Sequence, residues 1–243
     1  MKKLLFILAL MLVAFTVNAQ SNLNGDMNHD GEKNITDVIL LVDEILNGAG
    51  SKSYLTCPDN HHPHLIDLGL PSGTKWACCN VGATAPEDYG GYYAWGETEE
   101  KNYYDSSTYQ YYQNGSYVNL GSDIAGTQYD VARVKWGGSW VMPTHDQQME
   151  LCDNCTYEWT TVNGVKGGKF TSKTNGGIIF LPAAGRRLTS GLDDAGSHGY
   201  YWSSTQGPSI TGSTFCLYFG SGYTDWSYAN RSSGRSVRPV VRN

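Results

Sequence analysis

The sequence predicts an α+β, loop-rich domain over residues 65–243 with a small loop–helix segment ahead of it. Three observations predict it. Short aromatic or β-branched runs recur between turns of Gly, Ser, Asn and Pro. One helix start in that region carries a capping signature at Thr144. Upstream, a twelve-residue stretch with regularly spaced side-chain oxygens runs straight into an amphipathic apolar segment.

The N-terminus reads as a secretion signal over residues 1–19. Lys2 and Lys3 form a positive start, Leu4 to Val17 is free of charge, and Val17-Asn18-Ala19 offers small residues for cleavage before Gln20. The apolar run is short for a membrane span, and the sequence has no second stretch of spanning length. No cysteine stands at the cleavage point to take a lipid anchor. The expectation is export, to the periplasm, cell surface or medium, with no membrane span.

The stretch Asp26-Met-Asn28-His-Asp30-Gly31-Glu32-Lys-Asn34-Ile-Thr-Asp37 has the spacing of a calcium loop. Oxygen-bearing side chains fall at its positions 1, 3, 5, 9 and 12, with glycine at position 6 for the sharp turn. Asp26, Asp30 and Asp37 bring carboxylates and Asn28 a neutral oxygen. Glu32 offers its backbone carbonyl, and Asn34 acts through water. Val38, Leu41, Val42, Ile45 and Leu46 then form an apolar helix face, which Asn47-Gly48 stops. Calcium is therefore the expected cofactor. Export suits it, since extracellular modules bind calcium at about 0.1–1 mM.

Residues 49–64 read as a linker. Ser51-Lys-Ser53 and Pro58-Asp-Asn60 are turn chemistry, and His61, His62 and His64 form an unsupported histidine run better read as loop than as a metal site. Strands are expected at Tyr92–Trp95, Ile178–Leu181, Tyr200–Trp202, Phe215–Phe219 and Val237–Val241. A helix is expected after Thr144, with Gln147 completing the capping box and Met149 and Leu151 facing inward. Trp76, Trp95, Trp140 and Trp202 are read as core or strand-packing residues, and Arg235 and Arg238 as partners for acids such as Glu97.

Charge excludes one class of partner. The chain carries 17 basic and 23 acidic residues, and loss of Lys2 and Lys3 with the signal moves the net charge from −6 to −8. That gives no electrostatic footprint for nucleic acid. Seventeen tyrosines, seven tryptophans and 29 glycines describe a turn-rich folded chain with much rigid aromatic surface. Cys57, Cys78, Cys79, Cys152, Cys155 and Cys216 make an even set, which in an exported chain suggests disulfides whose pairing the sequence leaves open. Cys152-Asp-Asn-Cys155 has redox spacing but lacks a thioredoxin-like context.

Two resemblances extend this reading. Residues 25–48, with Asp37 in place of the usual final glutamate and a helix only after the loop, resemble one dockerin repeat. Dockerins bind cohesin modules on extracellular scaffolds, so the resemblance implies a cohesin-like partner; they usually hold two repeats, and this chain has one. Further on stand Asp67-Leu-Gly-Leu-Pro-Ser-Gly-Thr-Lys-Trp76, Tyr93-Ala-Trp-Gly-Glu97, Trp140-Val-Met-Pro-Thr144, Phe180-Leu-Pro-Ala-Ala-Gly185, Gly199-Tyr-Tyr-Trp-Ser-Ser204 and Arg235-Ser-Val-Arg-Pro239. In that order they resemble the Fibrobacter-type major paralogous domain. That resemblance implies a C-type-lectin-like fold and carries no catalytic residues across. The Glu-Pro-Asn or Gln-Pro-Asp triplet of calcium-dependent sugar sites is absent.

The functional expectation is an exported, non-enzymatic binding or adhesion protein recognising a glycan or a protein. Tyr223, Trp226, Tyr228 and Asn230 are the expected contacts, as rigid aromatics among small polar residues. No nucleophile–base pair or catalytic carboxylate pair stands out. The alternative is an accessory subunit or enzyme of extracellular polysaccharide degradation, tethered through the dockerin-like repeat.

Overall fold

A computed structural model describes residues 65–208 and 212–241, together with Val38 alone. The expected signal, the expected calcium loop with Asp26, Asn28, Asp30, Glu32 and Asp37, and the expected linker with its histidines lie outside the described residues.

Among the described residues of 65–241 there are fourteen strands and two helices. The chain begins with β1 (Leu65–Asp67), β2 (Lys75–Ala77), β3 (Tyr112–Gln113) and β4 (Ser116–Tyr117). Then come α1 (Val131–Trp136), β5 (Trp140–Val141), α2 (His145–Asn154), β6 (Cys155–Val162) and β7 (Val165–Ser172). β8 (Ile178–Pro182), β9 (Arg186–Leu188) and β10 (Gly191–Asp193) lead to β11 (Gly199–Gln206), β12 (Ser213–Gly220), β13 (Tyr223–Asn230) and β14 (Val240–Val241). The expected mixture of helix and strand is present, weighted towards β.

Three sheets of three or more strands carry the architecture, in the orders β1-β2-β14-β5, β6-β7-β8 and β11-β12-β13. The last strand thus sits beside the second, closing the domain on itself. α2 starts where its cap predicts: Thr144 accepts the Gln147 N–H, and Gln147 returns a bond to the Thr144 N–H. It packs on β6, β7, β11 and β12 through buried Leu151, while Met149 is only half-buried. Two glycines are set by close approach. A Cβ on Gly199 would lie 2.1 Å from the Phe219 ring, and one on Gly167 would lie 2.4 Å from the Leu181 carbonyl.

Residues 231–240 form a strap in which every residue is buried. Their carbonyls accept N–H groups from across the domain: Trp95 to Arg231, Tyr93 to Arg235, Trp202 to Ser236, Val81 to Val237 and Ala77 to Pro239. The short sequence motifs quoted above therefore meet along one line, and what they share is packing. Trp76, Trp95 and Trp202 are fully buried, and the Trp202 indole donates to the Tyr93 carbonyl at 2.7 Å. Trp140 departs from them. It is half-buried in β5 and packs edge-on against Trp136.

Four expectations are corrected. Tyr92–Trp95 is an extended segment with one bridge, Tyr93 to Arg235, because its neighbours are the strap and not a sheet. Of Val237–Val241 only the last two residues pair as a strand. Glu97 pairs with Lys101 at 2.7 Å. The two arginines assigned to it instead turn inward. Arg238 donates to the Asn80 side chain and to the carbonyls of Ala77, Cys78 and Phe180. Arg235 lies 4.9 Å from the ring centres of both Tyr200 and Trp202, whose π-faces stand in for a carboxylate.

Candidate ligand-binding face

β12 and β13 are a hairpin joined by Ser221-Gly222, where Gly222 takes a φ of +90°. The register pairs Phe215 with Tyr228, Leu217 with Trp226, Tyr218 with Asp225 and Gly220 with Tyr223. Side chains alternate along a strand, so this pairing decides which residues act together. Trp226, Tyr228 and Asn230 share a face with Phe215, Leu217 and Phe219. Tyr223 points to the other.

On the first face α2 covers Leu217 and Phe219 and stops at His145. Beyond it lies an aromatic cluster. The Phe215 ring is 4.9 Å from Tyr228 and 5.5 Å from Trp226, and Trp226 and Tyr228 meet edge-on at 5.3 Å. His145 lies over Phe215 at 4.2 Å and edge-on to Trp226. Trp226 and Tyr228 are 40% and 47% exposed. Six large hydrophobic side chains are exposed among the described residues, and Tyr223, Trp226 and Tyr228 are three of them, all on one strand. Such concentration on an eight-residue strand is unusual for surface aromatics, which scatter singly on most proteins.

The second face is built differently. Tyr218 stacks on Tyr200 at 5.0 Å and on His198 at 5.5 Å, and the Tyr223 hydroxyl bonds to that of Tyr218. That bond pushes the Tyr223 phenol up to about 12. Asp194 accepts the Tyr200 hydroxyl at 2.8 Å and lies 3.4 Å from Arg186. These groups satisfy one another. The four expected contact residues therefore divide into Trp226, Tyr228 and Asn230 on one side and Tyr223 on the other.

β13 is a sheet edge, paired with β12 alone. Its outer backbone is guarded by its own side chains. Asp225 accepts the Trp226 N–H at 2.8 Å, and the Ser227 hydroxyl donates to the Tyr228 carbonyl at 3.3 Å. A carboxylate in that row opposes addition of another strand. Asn230 ends the strand: its side-chain oxygen accepts the Tyr117 hydroxyl, the Ser232 N–H and the Ser232 hydroxyl. Its amide NH2 is left for other partners.

Phe215, His145 and Tyr117 were not among the expected site residues. The structure brings them beside Trp226 and Asn230.

The cysteines are quiet. Cys152, Cys155 and Cys216 carry free thiols, so the expected bridges are not made by these three. Burial pushes Cys152 and Cys155 each up to about 11, which leaves little thiolate at neutral pH. Among the described residues no three His, Cys, Asp or Glu side chains converge as a metal centre, and no helix is long and apolar enough to cross a membrane.

No protein-family model, curated protein or solved structure matches this chain.

Proposed function

We propose that this is an exported, non-catalytic binding protein that recognises a glycan or a protein through the Trp226–Tyr228 face of β13. The observation that carries the reading is the pairing of these two exposed rings over Phe215, on an edge strand where two outer backbone groups are held by its own side chains. An exposed aromatic cluster costs solubility unless something covers it, and aromatic anchors supply much of the energy at recognition surfaces. The fold reading that accompanies this is C-type-lectin-like, supported by the order of the motifs and by the pairing of the last strand with the second.

Trp226→Ala tests the reading. On a glycan array and in a pull-down, the mature protein should lose its ligand on this substitution while its melting temperature stays nearly unchanged. Equal binding by both proteins would exclude the face.

The calcium part of the reading rests on the loop spacing at Asp26, Asn28, Asp30, Glu32 and Asp37. Calorimetry should find one calcium site in the wild type and none in Asp30→Ala, because removing a carboxylate from a charge-dependent oxygen cage weakens it sharply. The same repeat is our candidate tether to a cohesin-like partner. Retained calcium uptake in the variant would remove both proposals.

A further inference from the structure

Beyond Trp226 and Tyr228, the aromatic surface continues onto a second element. Asn230 lies two residues along the same face of β13, and its side-chain oxygen holds the Tyr117 hydroxyl at 3.1 Å. Tyr117 faces Tyr112 across the β3–β4 hairpin, ring centres 4.8 Å apart. Trp226, Tyr228, Asn230, Tyr117 and Tyr112 thus form a continuous row. Four residues of strand span about 14 Å, and the tyrosine pair extends the row to about 20 Å. Beneath Tyr117 lies the buried Arg231 guanidinium, 5.7 Å from its ring, so the far end of the row rests on the strap.

We infer that this row is a track for a linear, neutral polysaccharide, with several sugar units bound at once. The inference rests on the reading of Trp226 and Tyr228 as the recognition face. Three features choose this ligand. No residue of the row carries a formal charge, and a chain of net charge −6 disfavours polyanionic glycans. The row is narrow. Trp226, Tyr228 and Asn230 are exposed and Tyr117 and Tyr112 only half-buried, so the five offer no more than on the order of 400 Å², against about 800 Å² per partner in a stable protein interface. And the partly guarded edge leaves a peptide fewer of the backbone bonds of strand addition. A sugar chain needs none of those bonds. Its C–H faces lie on ring faces, and its hydroxyls accept from the Asn230 amide and bond the tyrosine hydroxyls.

The test is affinity against chain length, measured by calorimetry on the mature protein. Probes are the dimer, tetramer, hexamer and soluble polymer of neutral β-glucan, mannan and xylan. For one of the three, affinity should rise at least tenfold from dimer to hexamer and then level off. Tyr112→Ala should lower hexamer affinity severalfold and leave the dimer unchanged, and Asn230→Asp should do the same while keeping the bonds its oxygen accepts. Length-independent affinity, or a Tyr112→Ala variant identical to wild type for every length, overturns the track but leaves Trp226 as a local anchor. Failure to bind any neutral glycan overturns the track as well, even if a protein ligand proves to depend on Trp226. A Trp226→Ala variant that binds every probe as well as wild type removes the underlying reading itself.

Discussion

Residues 223–230 and 231–240 are consecutive in the chain and opposite in physical character. In β13 all but Thr224 and Ala229 are exposed; in the strap every residue is buried. Yet the strap holds three arginines and three serines, while β13 holds a tryptophan and two tyrosines. Hydropathy alone would place them the other way round. Each arginine is buried with most of its donors meeting carbonyls, polar side chains or ring faces, although Arg231 Nη2 and Arg235 Nε have no hydrogen-bond partner. Arg238 reaches three carbonyls and Asn80, Arg235 lies on Tyr200 and Trp202, and Arg231 lies 4.6 Å over Trp95 and donates to Val118 and Tyr109. Burial thus follows satisfaction of polar groups as much as it follows apolarity. The aromatic rings of β13 are exposed because, among the described residues, no element covers the end of the hairpin beyond His145. One region is fixed by the rest of the fold; the other is presented by it.

The comparison breaks first if the strap is dispensable. Arg238→Ala removes four hydrogen bonds and leaves three buried carbonyls to find new partners. It should cost about 3–5 kcal/mol of stability, read from chemical denaturation. Arg238→Met restores volume without the donors and should recover little of that loss. A mild effect, below about 1 kcal/mol, would mean the strap is not the element that holds the motifs together.

Trp226→Ala is the matched change on the presented side. It should weaken ligand binding by roughly 1–2 kcal/mol or more, about tenfold, while stability falls by no more than about 1 kcal/mol. A core tryptophan would cost about 3–5 kcal/mol. A loss of that size in Trp226→Ala would make β13 part of the core and erase the contrast.

The inner side of the hairpin offers a pH test. Cys152 hydrogen-bonds Thr224 of β13, and Cys155 packs in the same core. Both thiols hold their protons more tightly folded than unfolded. Their contribution is complete below the ordinary thiol value of 9.0 and is lost as pH rises towards about 11. Burial raises the phenols of Tyr92, Tyr109 and Tyr201 as well, which continues the same trend at higher pH. Melting temperature should therefore fall from pH 9 to pH 11, and a Cys152→Ser, Cys155→Ser variant should fall less steeply over that window. A wild-type curve flat across it would show that the thiols ionise as easily folded as unfolded.

Sequence made some of this legible and not the rest, for reasons that lie in the residues. The α2 start was readable because a capping box is local chemistry, complete within Thr144–Gln147. β8, β11 and β12 were readable as apolar runs. β6 and β7 were not, because Val165–Ser172 carries two glycines and two lysines. Their signal is in the turn, where Asn163-Gly164 takes φ values of +48° and +86°, as a tight hairpin requires. The same pair, Asn114-Gly115, announces β3–β4 and with it Tyr112 and Tyr117. β13 hid for another reason: Asp225, Ser227 and Asn230 give it the composition of a loop, and only pairing with β12 makes it a strand. The expected contacts Trp226, Tyr228 and Asn230 did fall on one face. Tyr223 did not, because neighbours in sequence separate across a strand with period two.

The smallest expected effect lies at the junction between the two regions. Asn230 does two jobs with two atoms. Its oxygen accepts three bonds, one from Tyr117 and two from Ser232, and so pins the end of β13 to the start of the strap. Its NH2 group donates to no other described residue, and the side chain is exposed. Asn230→Asp keeps an acceptor at every one of those bonds and removes only the donor. Stability should then change by no more than about 0.5 kcal/mol, the range of a surface substitution, while binding weakens by about 0.5–1.5 kcal/mol for one lost hydrogen bond. Asn230→Ala removes both atoms and should add a stability loss of about 1 kcal/mol for the unanchored turn. If the aspartate variant instead loses stability like the alanine one and binds normally, Asn230 belongs to the strap, and the boundary between the fixed and the presented region moves back to Tyr228.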